Sequence, residues 1–288
     1  MDSIINSALQ SGLERALNRK VQAWQPLSGG MISQVLRVVL ADGESIVAKV
    51  GDGSHDLTIE AYMLRYLRQH SGLPVPAVLH DEANLLLMEF VEGRIQWEGE
   101  ALRHLGELLA RCHQVTSPCY GLERDTLIGP LHQPNPRTAS WIGFFREQRL
   151  LYMIGIARES GELPAELERR LLRLADQLEG YLYEPAKPAL IHGDMWKTNV
   201  IARDGRVEAI IDPALYYGHN EMELAYMTLF DGTGPEFFDA YTDQIVIEDG
   251  FFRTRRHIYN LYPLLIHLVI FGERFLQPIY ESLERVGK

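Results

Sequence analysis

The feature that most constrains this chain is a polar loop set between two short apolar runs. ALIHGD (189–194) and EAIIDP (208–213) bracket His192-Gly193-Asp194, Asn199 and, thirteen residues further on, Asp212. An ordinary turn between strands needs only one or two such residues to satisfy its backbone. A carboxylate and an amide five residues apart, with a second carboxylate closing the next apolar run, suit a more demanding task. They can orient an acceptor hydroxyl, take its proton, and offer oxygen ligands to Mg²⁺ on the β- and γ-phosphates of ATP. The pattern has the form H-x-D-x-x-x-x-N followed by a metal-binding Asp. Asp194 is therefore the expected base, and Asn199 and Asp212 the expected holders of the metal.

Such chemistry needs a second set of groups for the nucleotide, and candidates stand upstream in a workable order. Ser28-Gly29-Gly30 precedes the first strand of a hairpin, where Gly29 and Gly30 would let backbone N–H groups approach phosphates. Lys49 sits in the apolar run SIVAKV, so its ammonium must find an anion or reach for water. Glu60, eleven residues later, is the expected partner that would hold Lys49 toward the α- and β-phosphates. Met88-Glu89-Phe90-Val91 ends an apolar run and would face an adenine edge with backbone groups, which makes Glu89 and Val91 the expected hinge contacts.

Hydrophobic spacing gives the surrounding architecture. Residues 4–19 read as an amphipathic helix, 35–40 and 45–50 as a hairpin, 57–70 as a helix stopped by Gly-Leu-Pro-Val-Pro, and 77–81 and 84–93 as strands. From residue 100 the pattern turns helical over 100–115, 141–160 and 164–182. The Pro-rich stretch 117–138 between the first two reads as an ordered surface loop. The short strands at 189–194 and 208–213 flank a turn at 204–206. The expected fold class is α+β and two-lobed. Residues 1–92 form a small lobe with an antiparallel sheet plus a helix, and 93–288 a larger, mainly helical lobe with the catalytic loop.

Composition excludes several classes. A net charge of -11 with dispersed Lys and Arg argues against a nucleic-acid partner. The apolar run LYPLLIHLVIF (261–271) is too short to span a bilayer and reads as a core helix. Two cysteines, Cys112 and Cys119, fit neither a metal clip nor a disulfide framework, and the N-terminus lacks a signal-peptide pattern, so a cytoplasmic setting is expected. The histidines never show HExxH spacing, and His113 and His267 read as core histidines.

The stretch LIHGDMWKTNV…IDPALYYGHNEMELAYMTLF resembles the signature of the fructosamine (ketosamine) kinases, with Trp196, Tyr216, Tyr217, Gly218, His219 and Glu221 matching directly. LIGPLHQPN (127–135), the W-x-x-F-F-x-E-Q-R-L run at 141–150 and the L-Y-x-L-L-x-H-x-x-x-F-G-like run at 261–272 extend the likeness to essentially the whole chain. The resemblance implies a protein-kinase-like fold and phosphorylation of a ketosamine, free or protein-linked, at its 3-hydroxyl. It also implies that Lys49 joins Asp194 and Asn199 in the catalytic set, and that Trp196, Tyr217 and His219 face the acceptor. Met195, Lys197, Thr198, Ser33, Asn220 and Glu223 depart from the family pattern without removing the base or a metal ligand. An aminoglycoside-, choline- or homoserine-type kinase and a catalytically silent nucleotide-binding module are the alternatives.

Overall fold

The period of two along the hairpin decides where the charged residue goes. On β3 (Ser45–Gly51), Ile46 and Ala48 are buried on one face, so Lys49 and Val47 must occupy the other. The structure is a computed structural model and describes residues 2–27, 33–230 and 232–286. Gly29 and Gly30 lie outside the described residues.

The hairpin of β2 (Ser33–Leu40) and β3 belongs to a five-stranded antiparallel sheet. Its order is β1 (Val21–Pro26), β2, β3, β5 (Leu85–Glu89), β4 (Val78–Glu82). The sequence pattern does not announce β1, whose VQAWQP is mostly exposed and carries almost no alternation to detect. One face of the sheet packs Leu36, Val38, Ile46, Ala48 and Leu87 with Leu13 of α1 (Asp2–Leu17). The opposite face, through Leu86 and Met88, joins Ala61, Leu64 and Leu67 of α2 (Thr58–His70) in a core that runs without interruption into the helical lobe.

After a connector that follows Glu89, α3 (Gly99–His113) opens the larger lobe. The helix expected over 141–160 is three pieces: α4 (Trp141–Phe145), one π-helical turn (Arg146–Leu151) and α5 (Tyr152–Glu159). The π turn carries Arg149, which is fully buried. Its guanidinium stacks 3.9 Å from the Tyr216 ring and donates to Asn135 Oδ1 (2.6 Å) and the Pro134 carbonyl (2.8 Å). Those partners lie in the stretch expected to be a surface loop. Instead it contains the hairpin β6 (Thr126–Ile128) and β7 (Leu131–Gln133), with Thr126, Gln133 and Asn135 buried. Polarity misleads here, because these side chains are inside and satisfy one another: Gln133 and Asn135 both donate to Thr126 Oγ1.

The helix α6 (Ala165–Ala175) precedes four short strands. The two runs bracketing the polar loop do not pair with each other. β8 (Ala189–Ile191) pairs with β11 (Tyr216–Gly218), and β9 (Val200–Arg203) pairs with β10 (Arg206–Ile210). Helices α7 (Asn220–Met227), α8 (Pro235–Thr242), α9 (Arg256–Phe271) and α10 (Leu276–Arg285) complete the lobe. Among the described residues no helix is long and apolar enough to cross a membrane.

Two helical glycines should respond oppositely to the same change. A Cβ on Gly106 of α3 would sit 2.4 Å from the Phe237 carbonyl oxygen of α8, so Gly106→Ala should destabilise by about 1–3 kcal/mol. Gly155 of α5 has open space around it, and Gly155→Ala should stabilise by about 0.5–1 kcal/mol. Denaturant midpoints of the two variants measure both signs.

Candidate active site

The face of β3 away from α1 points Lys49 at α2, where Glu60 stands in the first helical turn. Lys49 is only 7% exposed, and its Nζ lies 2.6 Å from Glu60 Oε1. The same ammonium contacts the Asp212 carboxylate, 163 residues away in sequence. Burial by itself would lower the lysine pKa, but the Asp212 and Glu60 carboxylates reverse that and raise it above its ordinary value. Glu60 is pushed up by burial and by Asp212 against the pull of Lys49. The backbone of Asp212 itself is in the left-handed region at φ 55°, a conformation a non-glycine residue holds only where its surroundings impose it.

Asp194 reaches the same neighbourhood from the loop after β8. Gly193 precedes it at φ 88°, and a Cβ there would fall 2.1 Å from the Ala214 carbonyl oxygen, so the loop can pass under 212–214 only as glycine. Asn199 donates from Nδ2 to both the main-chain oxygen and Oδ2 of Asp194, each at 2.9 Å, which fixes the carboxylate and leaves the amide oxygen Oδ1 as an acceptor. The Asp194 carboxyl is raised to about 6, first by burial and then by the charges of Asp212 and Glu223, while hydrogen bonds from Tyr226 and Asn199 hold it down. A carboxylate so placed is a better proton acceptor than an exposed one.

The loop is held by a group the sequence does not reveal. Glu223 of α7 is buried, with Oε1 accepting from Gly193 N (2.7 Å) and Oε2 from His192 N (3.1 Å) and His113 Nε2 (2.9 Å). His113 Nδ1 meets the Tyr241 hydroxyl (2.8 Å), which accepts in turn from Asn220 Nδ2 (2.9 Å). Asn220 thus donates to Tyr241 and His113 Nε2 donates to the Glu223 carboxylate, so one buried imidazole links the loop to α8. Burial opposes the Glu223 charge, yet these donors hold its carboxyl below the ordinary value. His113 is a core histidine with a task; the sequence offers no sign of it, because its partner lies 110 residues downstream.

The three acceptor-side expectations separate. Trp196 lies two residues past Asp194 and its ring meets Phe230 edge-on at 6.2 Å. Tyr217 instead reaches Tyr66 of α2, with the hydroxyls 3.2 Å apart. His219 is sealed from solvent among the Trp141, Tyr183 and Tyr259 rings, where its Nδ1 accepts from Glu221 N and caps α7. Burial depresses His219 to about 3, so it is neutral. At the connector, the Glu89 amide is committed to the Ala77 carbonyl (2.9 Å). The Glu89 side chain turns back to accept from Ala77 N (3.1 Å).

Comparison with known proteins points one way. A family model for fructosamine kinases matches residues 2–288. A protein of Enterococcus faecium named a probable ketoamine kinase is 36% identical, covering 90% of this chain and 93% of its own. A Synechocystis protein of the same name is 31% identical, covering 92% and 90%. Among solved structures, a Thermobifida fusca protein provisionally assigned as a fructosamine-3-kinase superposes with TM-score 0.87 at 30% identity, over 96% of this chain and 97% of that one. An aminoglycoside phosphotransferase bound to AMP-PNP and hygromycin B superposes at 0.67 with 18% identity over 96% of each chain, a likeness of fold.

Two substitutions here should move stability in opposite directions. The raised Asp194 pKa means that folding disfavours the ionised form. That cost is absent below the unfolded value near 3.8, grows as pH rises toward 6, and is fully present above it. Asp194→Asn should therefore stabilise the free protein by on the order of 1–2 kcal/mol at pH 8 and by almost nothing near pH 4. Glu223→Ala strands His113 and two loop amides and should cost about 3 kcal/mol. Urea unfolding across this pH range checks both.

Proposed function

The chain belongs to the fructosamine kinase family, a phosphotransferase family acting on an alcohol group, and from that premise we propose how its own residues divide the work. The acceptor is a ketosamine, phosphorylated by ATP on its 3-hydroxyl, with Asp194 as the base. The observation that carries this reading is the Lys49 ammonium held at once by Glu60 (2.6 Å) and Asp212. Such an arrangement gathers residues from both lobes at one point and leaves Lys49 positioned for the α- and β-phosphates.

The donor set suits Mg²⁺. Glu60 and Asp212 hold a single ammonium and Asp194 feels the Asp212 charge, so the carboxylates outnumber the cation before any phosphate arrives. Asp212 and the Asn199 Oδ1 are both hard oxygen donors, the kind of partial set that Mg²⁺ completes with phosphate oxygens and water. Among the described residues there is no cluster of three His, Cys, Asp or Glu side chains able to hold a metal by itself, in keeping with a site completed by the nucleotide. When bound, Mg²⁺ would neutralise charge developing on the transferred group. Asp194 orients the acceptor hydroxyl and takes its proton, and Asn199 keeps the carboxylate aimed. At the connector the Glu89 carbonyl and the Val91 amide serve the adenine edge, since the Glu89 amide is already used. Trp196 stacks on the sugar. Tyr217 and His219 act at a distance, Tyr217 by tying β11 to α2 and His219 by capping the helix that carries Glu223. The thiols of Cys112 and Cys119 are both free, which agrees with a cytoplasmic setting.

Incubation with Mg-ATP and a panel of fructosamines, ribulosamines and unmodified alcohols, with ADP release as the readout, tests the acceptor class. Ketosamines should be turned over in preference to aminoglycosides, choline or homoserine. Asp194→Asn should lower kcat by about 10³-fold or more while the Kd for ATP changes less than about 3-fold. ATP binding by the wild-type protein with no turnover of any acceptor would instead mark a silent module.

A further inference from the structure

A chain of aromatic rings begins at the base and ends at a partly exposed side chain. The Asp194 carboxylate is hydrogen-bonded by Tyr226 of α7. Four residues on, Phe230 lies 6.0 Å from the Tyr226 ring, and it meets Trp196 at 6.2 Å, His267 at 4.8 Å and Phe275 at 6.3 Å. Despite these neighbours Phe230 remains 37% exposed, one of few large apolar side chains among the described residues left that open. An in-line transfer fixes what must pass here. With the nucleotide tail drawn to Lys49 and Asp212, an acceptor that meets Asp194 through its hydroxyl would lay its body along the rings that start at Tyr226. His267 adds one directed group: its Nδ1 donates to the Pro263 carbonyl at 2.7 Å, which leaves Nε2 as an acceptor beside Phe230.

We infer that Phe230, with Phe275 and His267 behind it, forms a subsite for the substituent on the ketosamine's amine, and that it selects substrates whose substituent is apolar or aromatic. The inference rests on the ketosamine reading and narrows it. In a ketosamine the amine-bearing carbon is only two bonds from the carbon that carries the reacting 3-hydroxyl, so the amine's substituent arrives at the end of the aromatic series. Covering a ring already half out of water is favourable for an apolar group and gains nothing for a charged one.

The test compares two probes that share the sugar and the amine, N-benzyl- and N-methyl-fructosamine, by kcat/KM. Wild-type protein should favour the benzyl compound by about 10-fold or more. Phe230→Ala should bring the ratio to within about 2-fold of unity, whatever happens to the absolute rates. Phe252→Ala, at an exposed ring packed against Phe238 and Phe251, should keep the wild-type ratio. A wild-type ratio near one, or a preference that survives Phe230→Ala, overturns the inference and leaves the ketosamine reading standing. Turnover of neither probe overturns both.

Discussion

One buried ammonium organises this molecule. Lys49 could not be buried alone, because a charge moved out of water without partners costs several kcal/mol. Its two carboxylate partners come from α2 and from the turn after β10, so the sheet, the helix behind it and the polar loop of the larger lobe have to meet at the same place. The pairing also explains a strained backbone. Asp212 tolerates its left-handed conformation because the contact with Lys49 and the close passage of Gly193 under Ala214 leave it little alternative.

The loop opposite is held by a different device. Lys49 and its partners are linked by charge, whereas Glu223 is held by three N–H donors, two of them main-chain amides, an arrangement that keeps a negative group inside the protein through hydrogen bonds. The two anchors act on different atoms: one fixes the Lys49 ammonium, the other fixes the backbone that carries Asp194. Glu221, two residues before, is instead paired with Arg255 through two hydrogen bonds of 2.7 and 2.6 Å, which pins the start of the same helix.

Much of this was legible in the sequence because the relevant signals were local. His192-Gly193-Asp194, Asn199 and Asp212 are near neighbours in the chain, and an isolated lysine in an apolar strand demands an anion whatever the fold. The antiparallel hairpin and the long helices followed from periodicity in the same way. What escaped was non-local. Glu223 and His113 are separated by 110 residues, Tyr226 reaches Asp194 from the same helix as Glu223, and nothing in either segment predicts the meeting. The buried segment at 126–135 failed for the opposite reason. Its Thr, Gln and Asn residues look like a solvated loop until it is known that Arg149 and Tyr262 supply their partners. Tyr217 and His219 show the limit of a motif: the residues match the pattern, but a buried hydroxyl partner and a helix cap explain their positions as well as any ligand would.

The sheet has one further consequence. Its α1 face is a small, closed cluster, but its other face has no core of its own, since Leu86 and Met88 pack into the same continuous cluster as the larger lobe's helices. The sheet and the helical body therefore share one thermodynamic fate. Heat or denaturant should melt them in a single cooperative step, because prising the layers apart would expose the interior of both.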